Sequence, residues 1–292
     1  FGVSLTAGDF NADGKTDLAV GAYGYPSIAY TGRTYIFYNG SITTENASGA
    51  DVTITGETTS NGFGYTLKTG DLNADGKTDL VVGAYQYSSN TGRAYIFYND
   101  GSIPTTAATA DVSITGGAAS DFFSISLNLG DFNSDGKTDL AIGAAAYSSL
   151  TGRTYIFYSQ NGQVNTNQSI TGEATGDNFG EALTTGDFNA DGRTDLAIGA
   201  RAYGGSDTGR VYIFYGDGQI PSTAATADIT ITSELGTSDY FGRALIAGDF
   251  NADGKTDLAV GASGYSTNTG RVYIFHNDGS IPTTAATADV TI

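Results

Sequence analysis

The chain has no cysteine, a single histidine and only four prolines among its 292 residues. The missing cysteines exclude disulfides and thiolate metal sites, and they leave the compartment undecided. With His276 as its one imidazole, the chain has no Ser/His/Asp or Cys/His set, so an enzyme is not expected. Basic residues are scarce: 13 Lys and Arg stand against 31 Asp and Glu, a formal net charge of −18. Such a surface has few cations with which to displace phosphate counterions, which argues against nucleic acid and against anionic membranes. Apolar residues come in short runs of Val, Ile, Leu, Phe and Tyr, too short to span a bilayer, so no membrane insertion is expected. No segment has helical periodicity. No signal peptide is visible before Phe1, and the chain reads as a mature or excised piece without its targeting information. An acidic, Thr/Ser/Gly-rich, Lys-poor composition suits an extracellular protein, secreted or at a cell surface.

What the chain does have is one stretch in five copies. "GDFNADGKTDLAVGA" begins at Gly8 and returns, with small changes, from Gly70, Gly130, Gly186 and Gly248. Its first aspartates are Asp9, Asp71, Asp131, Asp187 and Asp249, spaced by 62, 60, 56 and 62 residues. Eight residues before each lies a phenylalanine (Phe1, Phe63, Phe123, Phe179, Phe241), followed by glycine except at Ser124. After the acidic loop come an apolar run ending in Gly-Ala, a loop, a "TGRxYIF" segment and a segment such as "ADVTI". Each unit therefore reads as four short strands, A to D, near 3–8, 17–21, 33–38 and 51–55 in the first copy, with Gly, Asn, Asp and Ser between them. Four strands repeated at this period point to an all-β fold, a β-propeller of five four-stranded blades. Residues 1–292 are then a single propeller domain with blades near 1–62, 63–122, 123–178, 179–240 and 241–292. A closed five-bladed ring is the preferred arrangement, with part of a larger ring as the alternative.

Three aspartates and an asparagine in nine residues demand a reason. In "DFNADGKTD", Asp9, Asn11, Asp13 and Asp17 take positions 1, 3, 5 and 9, and Gly14 at position 6 allows the turn. Hard oxygens at alternate positions, with the backbone carbonyl of Lys15 at position 7, form a ligand set for Ca²⁺. The equivalent sets are Asp71, Asn73, Asp75, Lys77 and Asp79; Asp131, Asn133, Asp135, Lys137 and Asp139; Asp187, Asn189, Asp191, Arg193 and Asp195; and Asp249, Asn251, Asp253, Lys255 and Asp257. About five calcium ions are expected, one per blade. The loops hold 15 of the 31 acidic residues, so the chain's acidity is largely loop chemistry. An EF-hand is excluded, because position 12 is Val20, Val82, Ile142, Ile198 or Val260 instead of Glu. The competing explanation is an Asx-rich turn with solvated charges.

Phe-Gly, the DxNxDGxxD loop and Gly-Ala together resemble the FG-GAP repeat of the integrin α-subunit propeller and of bacterial FG-GAP/VCBS-like secreted proteins. The resemblance covers all five units and implies a propeller with calcium in the A–B loops. The proline of the GAP element is replaced by Tyr23, Tyr85, Ala145, Arg201 and Ser263. Integrin-like propellers usually have seven blades where this chain has five.

In an up-and-down blade the A–B and C–D loops share one end and the B–C loops the other. The resemblance therefore implies a protein or glycan ligand on the face opposite calcium. The position after Gly-Ala varies among repeats as an exposed surface would, and Tyr23, Tyr85 and Arg201 are the candidate ligand contacts. A partner on the calcium face instead would engage the C–D loop around 41–49. Tyr25, Tyr87, Tyr147, Tyr203 and Tyr265 recur two residues on, either as packing between blades or as ligand contacts. Arg33, Arg93, Arg153, Arg210 and Arg271 read as partners of a nearby carboxylate or carbonyl. Sequons stand at Asn46 and Asn167. The expected function is cell adhesion or protein–protein interaction. The alternatives are a carbohydrate-binding propeller lectin and a structural repeat module that assembles into a larger surface structure.

Overall fold

The computed structural model describes residues 1–40, 46–160, 162–218, 220–234 and 238–292, and for 165–167 the backbone alone. The first repeat forms strands β1 (Leu5–Gly8), β2 (Asp17–Ala22), β3 (Arg33–Phe37) and β4 (Val52–Thr55). The second forms β5 (Thr66–Gly70), β6 (Asp79–Ala84), β7 (Arg93–Phe97) and β8 (Val112–Thr115). The third forms β9 (Phe123–Gly130), β10 (Asp139–Ala144), β11 (Arg153–Gln160) and β12 (Gln163–Thr171). The fourth forms β13 (Phe179–Gly186), β14 (Asp195–Ala200), β15 (Arg210–Phe214) and β16 (Ile229–Thr232). The fifth forms β17 (Phe241–Gly248), β18 (Asp257–Ala262), β19 (Arg271–Phe275) and β20 (Val290–Thr291).

Each repeat is one sheet in which chain neighbours are also hydrogen-bonded neighbours. Pairing is antiparallel, with Leu18 opposite Phe37 and Val20 opposite Tyr35 in the first sheet. The chain is thus all-β, with the sheet number and strand plan of a five-bladed propeller. Strands β6, β10 and β14 are buried at all six residues. That burial explains why strand B is a continuous apolar run without alternation: both of its faces are covered.

The shorter third period has a local cause. In the other four repeats a single 3₁₀ turn precedes strand D, at Ala47–Gly49, Ala107–Thr109, Ala224–Thr226 and Ala285–Thr287. A side-chain oxygen of Asn46, Thr106, Thr223 or Thr284 caps it by accepting a backbone N–H. The third repeat has none among its described residues, because β11 runs on to Gln160 and β12 begins at Gln163.

Two compact units divide the chain, Phe1–Leu129 with Ser159–Asn165 and Gly130–Tyr158 with Thr166–Ile292. In the first unit, Phe10, Ala19 and Ile36 of repeat one pack on Phe63, Leu80 and Val82 of repeat two. In the second, Phe132, Ala141 and Ile156 pack on Phe179, Leu196 and Ile198, and Phe188, Ala197 and Val211 on Phe241, Leu258 and Val260. The opening phenylalanine is the centre of each junction. Phe63, Phe179 and Phe241 are fully buried, and each stacks edge-on against a tyrosine of its own strand C, at 5.3–5.4 Å between centroids. Burial of such a ring contributes about 1.5–3 kcal/mol.

Glycine permits that approach. Gly32, Gly152 and Gly209 form parallel bridges to Phe63, Phe179 and Phe241. A Cβ on any of the three would lie 2.1–2.2 Å from the phenylalanine carbonyl oxygen. The serine that departs from Phe-Gly is accommodated by bonding. Ser124 has φ +69° and is fully buried, and its Oγ donates to the Arg93 carbonyl (2.8 Å) and accepts from Ala84 N–H (3.1 Å).

Gly152→Ala and Gly218→Ala separate backbone strain from collision, since both glycines have positive φ and a Cβ added at Gly218 would meet nothing within 4 Å. Chemical denaturation should give a loss of about 1–2 kcal/mol for Gly218→Ala, from left-handed strain alone. Gly152→Ala should lose more than about 3 kcal/mol, because the opposing backbone cannot rotate away.

Candidate calcium loops and the opposite rim

The five acidic loops connect strand A to strand B and share one hydrogen-bond pattern. In the first, Asp9 Oδ1 accepts Asp13 N–H (3.1 Å) and Oδ2 accepts Gly14 N–H (2.8 Å). Asn11 Oδ1 also accepts Asp13 N–H (3.0 Å), and Asp13 Oδ1 accepts Lys15 N–H (2.9 Å). The bond from the position-6 glycine to the first aspartate measures 2.8–2.9 Å in all five copies. The loop is thus a nested Asx turn, wound by the oxygens that were expected to bind metal.

Position 9 behaves differently. Asp17, Asp79, Asp139, Asp195 and Asp257 are almost wholly buried at the start of strand B. Asp79 accepts N–H from Leu72 (2.8 Å) and from Asn99 (2.9 Å), so one carboxylate ties its loop to the end of strand C. Asp17, Asp195 and Asp257 repeat the pair of bonds. Burial pushes Asp195 up to about 6, held back by its N–H donors Gly216 and Phe188 and assisted by the charges of Asp191 and Asp187. Asp79 is raised for the same first reason. The sequence shows these aspartates only as ligands. In two repeats the asparagine after strand C extends the latch: Asn99 and Asn277 also donate through Nδ2 to the carbonyls of Asp9 and Asp187, the first loop residues of another repeat in the same unit.

Among the described residues no three His, Cys, Asp or Glu side chains are grouped as a metal site. The loop's oxygen set is a mixed one, with Asn at position 3 and a carbonyl at position 7. Each carboxylate oxygen has two lone pairs, and the turn bonds use one on each oxygen of Asp9. The donor chemistry therefore fits a hard cation: lone pairs remain on Asp9, Asn11 and Asp13, and Lys15, 3.9 Å from Asp13, offsets only one of the loop's three carboxylate charges.

The B–C loops leave each sheet at the other end. There Arg33, Arg93, Arg153, Arg210 and Arg271 lie over Tyr25, Tyr87, Tyr147, Tyr203 and Tyr265, at 3.6–4.1 Å from guanidinium carbon to ring centroid. Contacts of this kind contribute about 0.5–2 kcal/mol each. Three of the arginines also pair with a glutamate from the preceding repeat: Arg93 with Glu57 (2.9 Å), Arg210 with Glu173 (3.2 Å) and Arg271 with Glu234 (2.9 Å). Each recurring tyrosine is thus packed against the arginine of its own repeat.

The varying position is less exposed than its variation suggests. Ala145 is buried, Tyr23, Tyr85 and Arg201 are half-buried, and Ser263 is exposed. A partner two residues after the opening phenylalanine covers it in three repeats. Tyr85 meets Tyr65 at 4.3 Å between centroids, Arg201 forms an ion pair with Glu181, and Arg243 donates to Ser263 Oγ (3.4 Å). The variation is thus partly compensated within three of the five repeats, and the Glu181/Arg201 complement was present in the sequence. Tyr23 and Tyr85 are brought together through Tyr65, with Tyr23 edge-on to it at 5.4 Å and Phe122 beyond Tyr85 at 5.8 Å. Burial, then the neighbouring Tyr65 and Tyr23, pushes the Tyr85 hydroxyl up. Of the C–D loop around 41–49, residues 41–45 lie outside the described residues; Asn46 is exposed and caps the turn after it. The Asn167 side chain also lies outside them.

Five meander sheets, each with an oxygen-rich A–B loop and an opening phenylalanine, followed by glycine in all but the third, define a propeller-blade repeat protein. The chain belongs to the FG-GAP repeat family, whose model matches residues 1–37, 63–97, 123–164, 179–214 and 241–275. Integrin alpha-PS2 of Drosophila melanogaster is 34% identical over 233 residues, 73% of this chain and 16% of that protein. Phosphatidylinositol-glycan-specific phospholipase D of Bos taurus is 30% identical over 233 residues, 73% of this chain and 28% of that protein. The chain thus spans less than a third of either relative. Among solved structures, the exotype rhamnogalacturonan lyase YesX shares the fold, with a TM-score of 0.52 at 11% identity, over 95% of this chain and 48% of that one. Among the described residues no helix is long and apolar enough to cross a membrane.

Latch and ligand are separable by substitution. Asp79→Ala strands two N–H groups, each costing about 1–3 kcal/mol, so it should lower the denaturation midpoint equally in calcium and in EDTA. Asp75→Ala, exposed at position 5, should leave the EDTA midpoint within about 0.5 kcal/mol of the parent and reduce only the gain from calcium.

Proposed function

We propose that this chain is an extracellular, calcium-stabilised interaction module that mediates cell adhesion or protein–protein contact. The observation that carries the reading is the same oxygen-lined loop at the same end of each of five sheets. Asp9, Asn11, Asp13 and the Lys15 carbonyl would hold the ion in the first loop, with Asp17 beneath them, and the equivalent residues in the other four. Bound calcium supplies the positive charge that three neighbouring carboxylates lack. Family membership and the integrin alpha relatives support the contact function. A secreted or cell-surface setting suits calcium modules of this kind, which bind at about 10⁻⁴ to 10⁻³ M.

The row Tyr23–Tyr65–Tyr85–Phe122 favours one second reading, a carbohydrate-binding rim, because a run of edge-on and tilted rings, three of them with hydroxyls, offers both apolar surface and polar groups to a sugar. On either reading the ligand lies at the B–C end, away from calcium, and Tyr23 and Tyr85 are its contacts. A ligand contact at Arg201 is weakened by the ion pair with Glu181.

Titration calorimetry should find about five calcium sites, and four after Asp131→Ala. At one hundred times Kd each site adds about 2.7 kcal/mol, so EDTA should lower the melting temperature sharply and magnesium should restore little of it. An unchanged melting curve in EDTA returns the loops to plain Asx turns. The double variant Tyr23→Ala/Tyr85→Ala should weaken binding to a native-surface extract or a glycan array at least tenfold, about 1.4 kcal/mol, with calcium stoichiometry unchanged. Binding that survives it places the ligand elsewhere.

A further inference from the structure

The capped 3₁₀ turn before strand D differs at three places between the first repeat and the second, fourth and fifth. In those three repeats the cap is Thr106, Thr223 or Thr284, and the residue two positions on is Ala108, Ala225 or Ala286. The first repeat has Asn46 and Ser48 instead. One residue further, Gly49 stands where Thr109, Thr226 and Thr287 each donate a hydroxyl back to the carbonyl of the cap (3.0–3.1 Å).

Capping does not account for these changes. Threonine caps the turn through Oγ1, which accepts the alanine N–H at 3.3–3.4 Å. Asn46 Oδ1 accepts the corresponding Ser48 N–H at 3.0 Å, and it accepts the Ser48 hydroxyl as well. The cap itself needs no serine, since alanine serves in three repeats. What Asn46 and Ser48 add is an amide nitrogen, Nδ2, with a hydroxyl bonded to the oxygen of the same amide. Asn-x-Ser is the acceptor sequence for an N-linked glycan. Both hydrogen bonds span two residues, so the chain can form them locally, before its sheets assemble. Donors on Oδ1 stabilise the charge that this oxygen gains as Nδ2 gives up a proton, which favours attack by Nδ2.

Asn46 and Ser48 are exposed. In repeats two and four the turn is docked on strand D of the preceding repeat, through the Thr55–Thr106 and Thr171–Thr223 bridges. There the capping threonines are half-buried, yet Ala108 and Ala225 remain exposed. Access to the turn therefore does not depend on what precedes the first repeat.

We propose that Asn46 is an N-glycosylation site. Nδ2 attacks the anomeric carbon of an oligosaccharide carried on a lipid diphosphate. The N–C bond forms as the C–O bond to the diphosphate breaks, the diphosphate leaves with the electron pair, and Nδ2 releases one proton. Oδ1 takes no part in the new bond, so the cap survives the modification. In the first sheet the C–D loop leaves at the same end as the A–B loop, so the glycan stands clear of the B–C end. The inference rests on the turn and is independent of the calcium reading.

Glycopeptide mapping tests it, on the 292-residue chain placed behind a secretion signal and recovered from the secretory lumen or medium of a eukaryotic host. Asn39, whose Nδ2 donates to the Thr16 carbonyl (3.3 Å), and Asn167 also stand two residues before a serine, so occupancy is read for each asparagine separately. The Asn46 peptide should carry a glycan that peptide-N-glycosidase releases, and Asn46→Thr and Ser48→Ala should each abolish it. Both substitutions restore residues that the turn has in other repeats, so circular dichroism should find the fold unchanged. Ser48→Thr, which keeps the hydroxyl, should keep the glycan. An unmodified Asn46 peptide overturns the proposal, whether or not Asn39 or Asn167 is glycosylated, and so does a glycan on Asn46 that survives Ser48→Ala.

Discussion

A sheet whose second strand is apolar on both faces is insoluble alone, and the approach of a phenylalanine backbone to a bare glycine is what lets two such sheets meet. At Gly32, Gly152 and Gly209 the neighbouring chain passes where a side chain would begin. No larger residue preserves that distance, so the glycine of "TGR" sets the separation of the sheets. The contacts at each junction follow from that separation. Glu57 reaches Arg93, and Leu80 shares a cluster with Ala19, only when the backbones are this close.

The acidic loop answers a second constraint, the end of a buried strand. Strand B begins with an aspartate that has almost no contact with water, and its carboxylate takes two N–H groups that would otherwise be unpaired. Positions 1, 3 and 5 wind the loop above it. One nine-residue segment therefore combines two electrostatic environments: a buried carboxylate satisfied by backbone, and a half-exposed set with lone pairs to spare.

The four-strand repeat and the apolar second strand were legible because each depends on local pattern and recurs five times. The Tyr/Arg stacks were half legible: both residues recur, yet only the structure shows guanidinium over ring. The dual use of the aspartates was hidden, because a residue type that binds cations is the same type that caps amides, and burial alone separates Asp17 from Asp13. Tyr23 and Tyr85 could be named as a pair but not joined, since Tyr65, which bridges them, lies in strand-A context and recurs in no other repeat. Ser124 looked like a defect in the pattern, and its two hydrogen bonds show it to be a substitute for conformational freedom.

The spacing of the junction partners has a kinetic side. Gly32 meets Phe63 and Gly209 meets Phe241, so each interface closes a loop of about thirty residues, a length whose entropic penalty grows only with its logarithm. Among the described residues each sheet pairs strands of one repeat only. Ordering can therefore begin at any junction and spread by nearest-neighbour docking, as in other repeat arrays. An all-β protein built this way escapes much of the slowness that distant strand pairing imposes on sandwiches and barrels.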